Sequence, residues 1–335
     1  MRSAPDGIRS EDLARALARH WDLQIDRLDY LPEGGGAYHW VAEASGARWF
    51  VTADDLDTKP WLSSNRDATF LGLSATYRTA MDLRYEAGLA FVVAPRATLS
   101  AEPAIRLGAR YSLAVFPFVE GQPGRWGEPF HSHDRRRLIG LLAELHRSTA
   151  AAAQAPSRGP EVAGRERLEQ ALRDLGGEWS GGPFSELARR ELGRHAQVIA
   201  GWLDSFDESA ARLVSDVEPA VTHGEPHPGN LIRTSDGFAL VDWDTVAVSR
   251  AERDLWMFDD GTGSDWDQYQ ELTGWSVDPA AMALFRRAWR LSDLAAFTGL
   301  LRGPHRRSAD TERAWLALRQ TVAADPSPYR AAAIW

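Results

Sequence analysis

The feature that most constrains this fold is a change of hydrophobic period at Pro117-Phe-Val-Glu-Gly-Gln-Pro-Gly124, where two prolines and two glycines follow an apolar segment. Such a cluster punctuates a chain and reads as a hinge or linker. Before it, residues 26–31, 37–44 and 47–52 carry strand signals, and two further strands are expected at about 91–98 and 111–116. Residues 9–20 and 67–87 read as helices, the first with Ser10 as N-cap and Glu11 and Asp12 in its first turn. After the hinge the pattern is helical. Leu138, Leu141, Leu142 and Leu145 recur at i, i+3, i+4 and i+7 within 134–150, and 161–174, 184–214, 279–302 and 309–323 also read as helices. Short strand-like segments at 220–221, 230–233 and 239–242 interrupt this half, the last two joined by the turn Thr234-Ser-Asp-Gly237. The expectation is an α+β chain of two lobes: residues 1–118 with a small antiparallel sheet and one long helix, and residues 119–335, larger and mainly helical.

Composition excludes several classes. There is no cysteine, hence no disulfide, thiolate nucleophile or Cys-ligated metal. The first residues lack a basic patch followed by an apolar run, and no apolar run approaches the ~20 residues of a membrane span, so a cytoplasmic protein without membrane contact is expected. A net charge of -9 disfavours nucleic acid as a partner. It suits a cationic or neutral ligand, or serves solubility alone. Among 38 basic residues Lys59 is the sole lysine. An ammonium and a guanidinium are not interchangeable, so a lysine kept among arginines is a candidate for a role of its own.

The polar density lies in Val221-Thr-His-Gly-Glu-Pro-His-Pro-Gly-Asn-Leu-Ile232 and Ala239-Leu-Val-Asp-Trp-Asp244. Glu225 precedes Asn230 by five residues, and Asp242 follows after a hairpin. Phosphoryl transfer needs this set: a carboxylate near the attacking hydroxyl, and an amide with a second carboxylate to hold magnesium on a triphosphate. His223 and His227 stand at i, i+4, but Pro226 and Pro228 forbid the helix that would align them for zinc. No Gly-x-Ser-x-Gly elbow supports a hydrolase.

HGEPHPGN, VDWD and the following Glu252-Arg-Asp-Leu255 resemble the signature of aminoglycoside phosphotransferases and choline kinases, and within them the spectinomycin-phosphotransferase-like branch. The resemblance implies a bilobal protein-kinase-like fold. It implies a small-molecule kinase that transfers the γ-phosphate of ATP or GTP, with Mg2+, to a hydroxyl acceptor. An antibiotic of the aminoglycoside, aminocyclitol or nucleoside type is the expected acceptor, which would make the chain a resistance enzyme. A metabolic kinase of a choline-like or sugar-like alcohol, and a nucleotide- or partner-binding module without turnover, are the alternatives, as monomer or homodimer. Glu225 stands where the family has its catalytic aspartate. Asn230 and Asp242 would ligate magnesium, with Asp244 as a secondary metal or loop residue. His223 and His227 would brace the loop, and Asp254 would anchor the following helix to it.

On the nucleotide side, Gly34, Gly35 and Gly36 would cover the phosphates, since glycines let backbone N–H groups approach closely. Thr52 occupies the strand position where the resemblance expects lysine, so Lys59 is the candidate to reach the triphosphate, with Asp67 or Glu86 as its helix partner. Phe116 and Phe118 flank the expected purine contact at the hinge. On the acceptor side, Asp259, Asp260, Asp265 and Trp266 form an acidic segment suited to ammonium groups, or a solvated loop. Trp126, Trp243, Trp256 and Trp275, among 14 tryptophans, are core residues or stacking platforms.

Overall fold

The computed structural model describes residues 4–5, 7–59, 61–63, 65–213, 217–259, 261, 263 and 265–323. In chain order these form α1 (Ser10–Trp21), β1 (Arg27–Leu31), β2 (Ala37–Ala44), β3 (Ala47–Asp55), α2 (Arg66–Tyr85), β4 (Ile105–Leu107), β5 (Tyr111–Pro117), β6 (Gln122–Pro123) and α3 (Ser132–Arg147). There follow α4 (Arg165–Arg173), α5 (Ser185–Arg212), β7 (Ala220–Thr222), β8 (Leu231–Arg233), β9 (Phe238–Leu240) and β10 (Ala247–Ser249). The last elements are α6 (Glu252–Leu255), α7 (Trp266–Thr273), α8 (Pro279–Arg302) and α9 (Ala309–Ala323). The chain divides into two compact units. The first comprises 1–124, 147–157 and 230–248; the second comprises 125–146, 158–229 and 249–335. The hairpin after the stretch from His223 to Asn230 thus packs with the N-terminal sheet, whereas that stretch up to Gly229 packs with the helices.

In the first unit an antiparallel sheet runs β1-β2-β3-β5-β4. Side chains alternate across β3. Val51 and Ala53 join Leu13, Leu17 and Trp21 of α1 and Trp40 in one buried cluster. Phe50 belongs to a second cluster with Leu73 and Tyr77 of α2, Phe116 and Ala239. By the same alternation Thr52 and Asp54 share the face of Phe50. The helix α2 starts where the Asn65 side chain caps it, accepting from Ala68 N at 2.9 Å. A separate three-stranded ladder, β6-β8-β9, carries Asn230 immediately before β8.

Two local expectations fail. Residues 91–98 are not a strand: Val93 N donates to Leu240 O, Leu240 N to Phe91 O and Arg96 N to Val115 O, one isolated bond after another. The segment is buried and apolar like a strand, but Pro95 has no N–H and its neighbours serve two different ladders. Ser10 is the first helical residue of α1, not its cap; Arg9 holds the cap position without a capping bond from its side chain.

In the second unit α4, α5, α8 and α9 bury a common core that includes Leu168, Leu192, Ile199, Leu291, Leu294 and Leu318. Asp278 caps α8 through Ala280 N at 2.8 Å, with Pro279 at the first helical position, where its missing N–H is harmless. Among the described residues no helix is long and apolar enough to cross a membrane.

Candidate active site

In the first unit Lys59 is 2% exposed. Its Nζ lies 2.9 Å from Asp54 Oδ1 and 2.5 Å from Asp244 Oδ2. The Asp54 carboxylate also accepts from Tyr77 Oη at 2.9 Å, which ties α2 to the end of β3. Burial alone would lower the Lys59 ammonium, but Asp244, Asp54 and Asp242 outweigh it and the lysine stays charged well above its ordinary range. Its acid partners are therefore neither Asp67, whose carboxylate meets Arg106, nor the exposed Glu86.

Asn230 is buried, and its carbonyl accepts from Val241 N at 3.0 Å, so the β8–β9 ladder brings Asn230 and Asp242 to the same end. Asp242 adopts φ 66°, ψ 67°. That left-handed conformation disfavours an L-residue with a Cβ by about 1–2 kcal/mol. The residue as a whole is exposed, yet protein crowds its carboxyl. That crowding, then the negative charge of Asp244, pushes it up to about 7 against the pull of Lys59. Three carboxylates act here on one ammonium, an excess of negative charge that suits a divalent cation. Among the described residues no three His, Asp or Glu side chains enclose a metal unaided. Magnesium characteristically needs only one or two carboxylates plus phosphate oxygens and water. The residues present fit that ion, since the Asn230 amide and the Asp242 carboxylate come to one end of the hairpin.

Gly34 has φ +73°, and a Cβ there would come within 3.2 Å of His39 Nε2. The His39 ring thus lies beneath the glycine turn that holds Gly34, Gly35 and Gly36. It faces Thr52 across the β2–β3 register, with Nδ1 3.3 Å from Thr52 Oγ1, and packs on Phe50 with ring centroids 4.9 Å apart. Burial pushes the imidazole down to about 3, so it is neutral. Phe116 is buried with its ring edge-on to Tyr77 at 5.5 Å. Phe118 lies under the Arg48 guanidinium at 4.0 Å. Phe50, Val119, Ile232 and Val241 are half-buried around the Phe116 cluster.

In the second unit the loop after β7 is pinned by its backbone. Asp254, fully buried, accepts from His223 N at 2.8 Å and Gly224 N at 2.6 Å. It also meets His146 Nε2 at 3.1 Å, and His146 Nδ1 meets Tyr269 Oη at 2.7 Å. Burial would raise the Asp254 carboxyl, yet the bond to His146 and the neighbouring positive groups leave it lowered. Glu225 N donates to His223 Nδ1 at 3.2 Å, so the buried His223 braces the residue after next. Gly224 sits at φ +96°, and a Cβ there would collide with the Arg253 guanidinium, which bonds Thr222 Oγ1 at 2.8 Å. His227 differs from His223. Its Nδ1 is buried with no hydrogen-bond partner among the described residues, and its ring packs edge-on against Trp126 at 4.0 Å.

The sequence pattern of the phosphotransferase enzyme family (APH) matches residues 41–285. The chain belongs to that family. This makes it a small-molecule phosphotransferase with a nucleotide as donor and a hydroxyl as acceptor. Solved phosphotransferases share its fold. Spectinomycin phosphotransferase APH(9)-Ia, in complex with ADP and spectinomycin, is 15% identical and superposes with a TM-score of 0.73 over 97% of each chain. Choline kinase LicA from Streptococcus pneumoniae is 14% identical with a TM-score of 0.56, covering 93% of this chain and 98% of its own. APH(2")-IIIa with GDP and kanamycin is 15% identical with a TM-score of 0.58, over 93% and 98%. No curated protein sequence matches.

In this phosphotransferase the acidic segment is largely engaged internally. Asp259 Oδ2 lies 2.8 Å from Arg286 Nη2, and Asp265 pairs with Arg135. Trp266 opens α7, half-buried. Asp260 lies outside the described residues. Trp243 is wholly buried, its Nε1 donating to Leu240 O at 2.9 Å. Sequence reasoning missed Asp54, Tyr77 and His39. For Asp54 the signal was present: an acid two residues beyond Thr52 must share its strand face. Nothing local announced Tyr77, one of several polar residues on an ordinary helix.

Proposed function

We propose that Glu225 is the group that receives the proton of the acceptor hydroxyl as γ-phosphoryl transfer from ATP or GTP proceeds. The hydroxyl oxygen forms a bond to the γ-phosphorus, the bond from γ-phosphorus to the bridging oxygen breaks, and the nucleoside diphosphate leaves. Asn230 and Asp242 would hold Mg2+, which neutralises charge on the β- and γ-phosphates when bound. The observation that carries the reading is Lys59: the sole lysine is buried between Asp54 at the end of β3 and Asp244 of the metal loop. There it supplies the cation that Thr52 does not, with Asp54 as its acid partner. Gly34, Gly35 and Gly36 offer backbone donors, and Phe50, Val119, Ile232 and Val241 offer the apolar flanks of a purine. Phe116 supports those flanks from the core, and Phe118 packs against β3. His223 and Asp254 keep Glu225 oriented. Asp244 acts through Lys59.

The acceptor we infer is an alcohol of an antibiotic, inactivated by phosphorylation. The likeness to a spectinomycin phosphotransferase over almost the whole chain supports this choice. The test is a panel of hydroxylated antibiotics and metabolites offered with ATP and with GTP, in Mg2+ and in chelator, and read by the mass gain of one phosphoryl group. Metal-dependent transfer to an antibiotic that Glu225→Gln abolishes is the expected result. Transfer only to metabolic alcohols refutes the resistance role, and tight nucleotide binding with no transfer to any acceptor refutes turnover.

A further inference from the structure

Three tryptophans of the second unit gather beside the loop that carries Glu225. Trp126 and Trp289 stack with centroids 5.5 Å apart and planes 12° from parallel. Trp256 leans on Trp289 at 5.9 Å and 56°. His227, two residues after Glu225, sets its ring edge on Trp126 at 4.0 Å. Trp126 and Trp289 are only half-buried, so this wall keeps part of its surface open to solvent. One turn further along α8, Asp293 shares the helix face of Trp289, whose side chain favours its charged form. Besides burial, which pushes it up to about 7, that is the one influence on it among the described residues; no arginine or lysine pairs with it.

Two further carboxylates of this unit are already neutralised. Asp259 faces Arg286, whose guanidinium also lies 5.9 Å from the Trp256 ring, and Asp265 faces Arg135. A ligand with many ammonium groups would have to displace both arginines. A ligand with one ammonium finds in Asp293 a carboxylate with no counter-ion among the described residues, and indole faces whose quadrupole attracts a cation.

We propose that the indole wall and Asp293 form the acceptor subsite, and that they select a molecule with one ammonium group beside a flat apolar face. The wall supplies area for the flat part. The ammonium offsets the desolvation that Asp293 otherwise bears alone. The inference rests on the phosphotransferase reading only in calling the bound molecule the acceptor.

Binding, not turnover, tests it. 2-Phenylethylamine, its uncharged counterpart 2-phenylethanol and the polycation kanamycin are titrated into the full-length protein with ADP and Mg2+ at fixed ionic strength. Heat of binding and the near-ultraviolet circular dichroism of the tryptophans are followed. The amine is expected to bind about tenfold tighter than the alcohol and to perturb the tryptophan signal. Trp289→Leu and Asp293→Asn should each weaken the amine by about fivefold or more while ADP affinity, set by the first unit, stays within about twofold. Equal binding of amine and alcohol, tighter binding of kanamycin than of the amine, or unchanged amine affinity in both variants overturns the proposal. Absence of ADP binding in the unaltered protein counts against the kinase reading alone, because the ratio of amine to alcohol is still measured.

Discussion

Replacing Lys59 with methionine removes the single ammonium that stands 2.9 Å from Asp54 and 2.5 Å from Asp244. Methionine fills a similar volume, so the change isolates the charge. The carboxylates left behind are 1% and 5% exposed and cannot turn to water. Breaking a buried pair from one side costs about 3–5 kcal/mol. For a chain of this size that is roughly 4–7 °C in Tm. The double variant Lys59→Met/Asp244→Asn should recover part of that loss, because one orphaned charge goes with its partner. Losing a charge-assisted contact to the triphosphate predicts a further loss of about 1.5–3 kcal/mol, roughly 10- to 150-fold in kcat/KM for nucleotide. Differential scanning fluorimetry reads the first effect, and steady-state kinetics well below the lowered Tm read the second. A Lys59→Met protein that melts with the unaltered one refutes the electrostatic argument. One that melts early but keeps its nucleotide KM and kcat refutes the phosphate role and leaves a structural lysine.

Glu225→Gln should lower kcat by about 100- to 10,000-fold with little change in nucleotide KM; Glu225→Asp, which pulls the carboxylate back by one methylene, should lose about 100-fold, and initial rates check both. Asp254→Ala removes the acceptor of His223 N, Gly224 N and His146 together and should destabilise the protein by about 3–5 kcal/mol in urea unfolding. His39 is held down at about 3, below its unfolded value, so the unfolded chain binds a proton that the folded one refuses as pH drops below about 6.5. Stability is then lost on acidification, by about 1.4 kcal/mol from this residue at about pH 5.5, and His39→Gln should flatten the fall of Tm over that range.

The parts legible in the sequence were those decided by neighbours in the chain. The helix over 279–302 emerged at its observed limits because Asp278-Pro279 starts it and Gly303 follows it. The strands at 37–44 and 47–52 emerged because Ser45-Gly46 turns the chain between two apolar runs, and the second runs three residues further, to Asp55. Residues 91–98 had strand composition without strand pairing, a distinction made by partners more than 100 residues away as well as by Val115. The candidate site divides in the same way. Asn230 and Asp242 share a hairpin, so their association followed from spacing. Lys59 and Asp244 are separated by 185 residues, and no spacing in the chain links them. Asp293 looked like any acid on an amphipathic helix, because only the Trp126–Trp289 stack gives its position meaning.

The attachment of the Glu225 loop to Asp254 has a consequence for how this chain can change. Asp254 grips the main chain at His223 and Gly224, not the side chain that would do the chemistry. The loop is therefore a socket whose shape does not depend on the tool it holds. Glutamate can stand where relatives are expected to carry aspartate without the mounting being rebuilt. Exchange of that one residue then tunes the reach of the carboxylate, while exchange of Asp254 dismantles the mount.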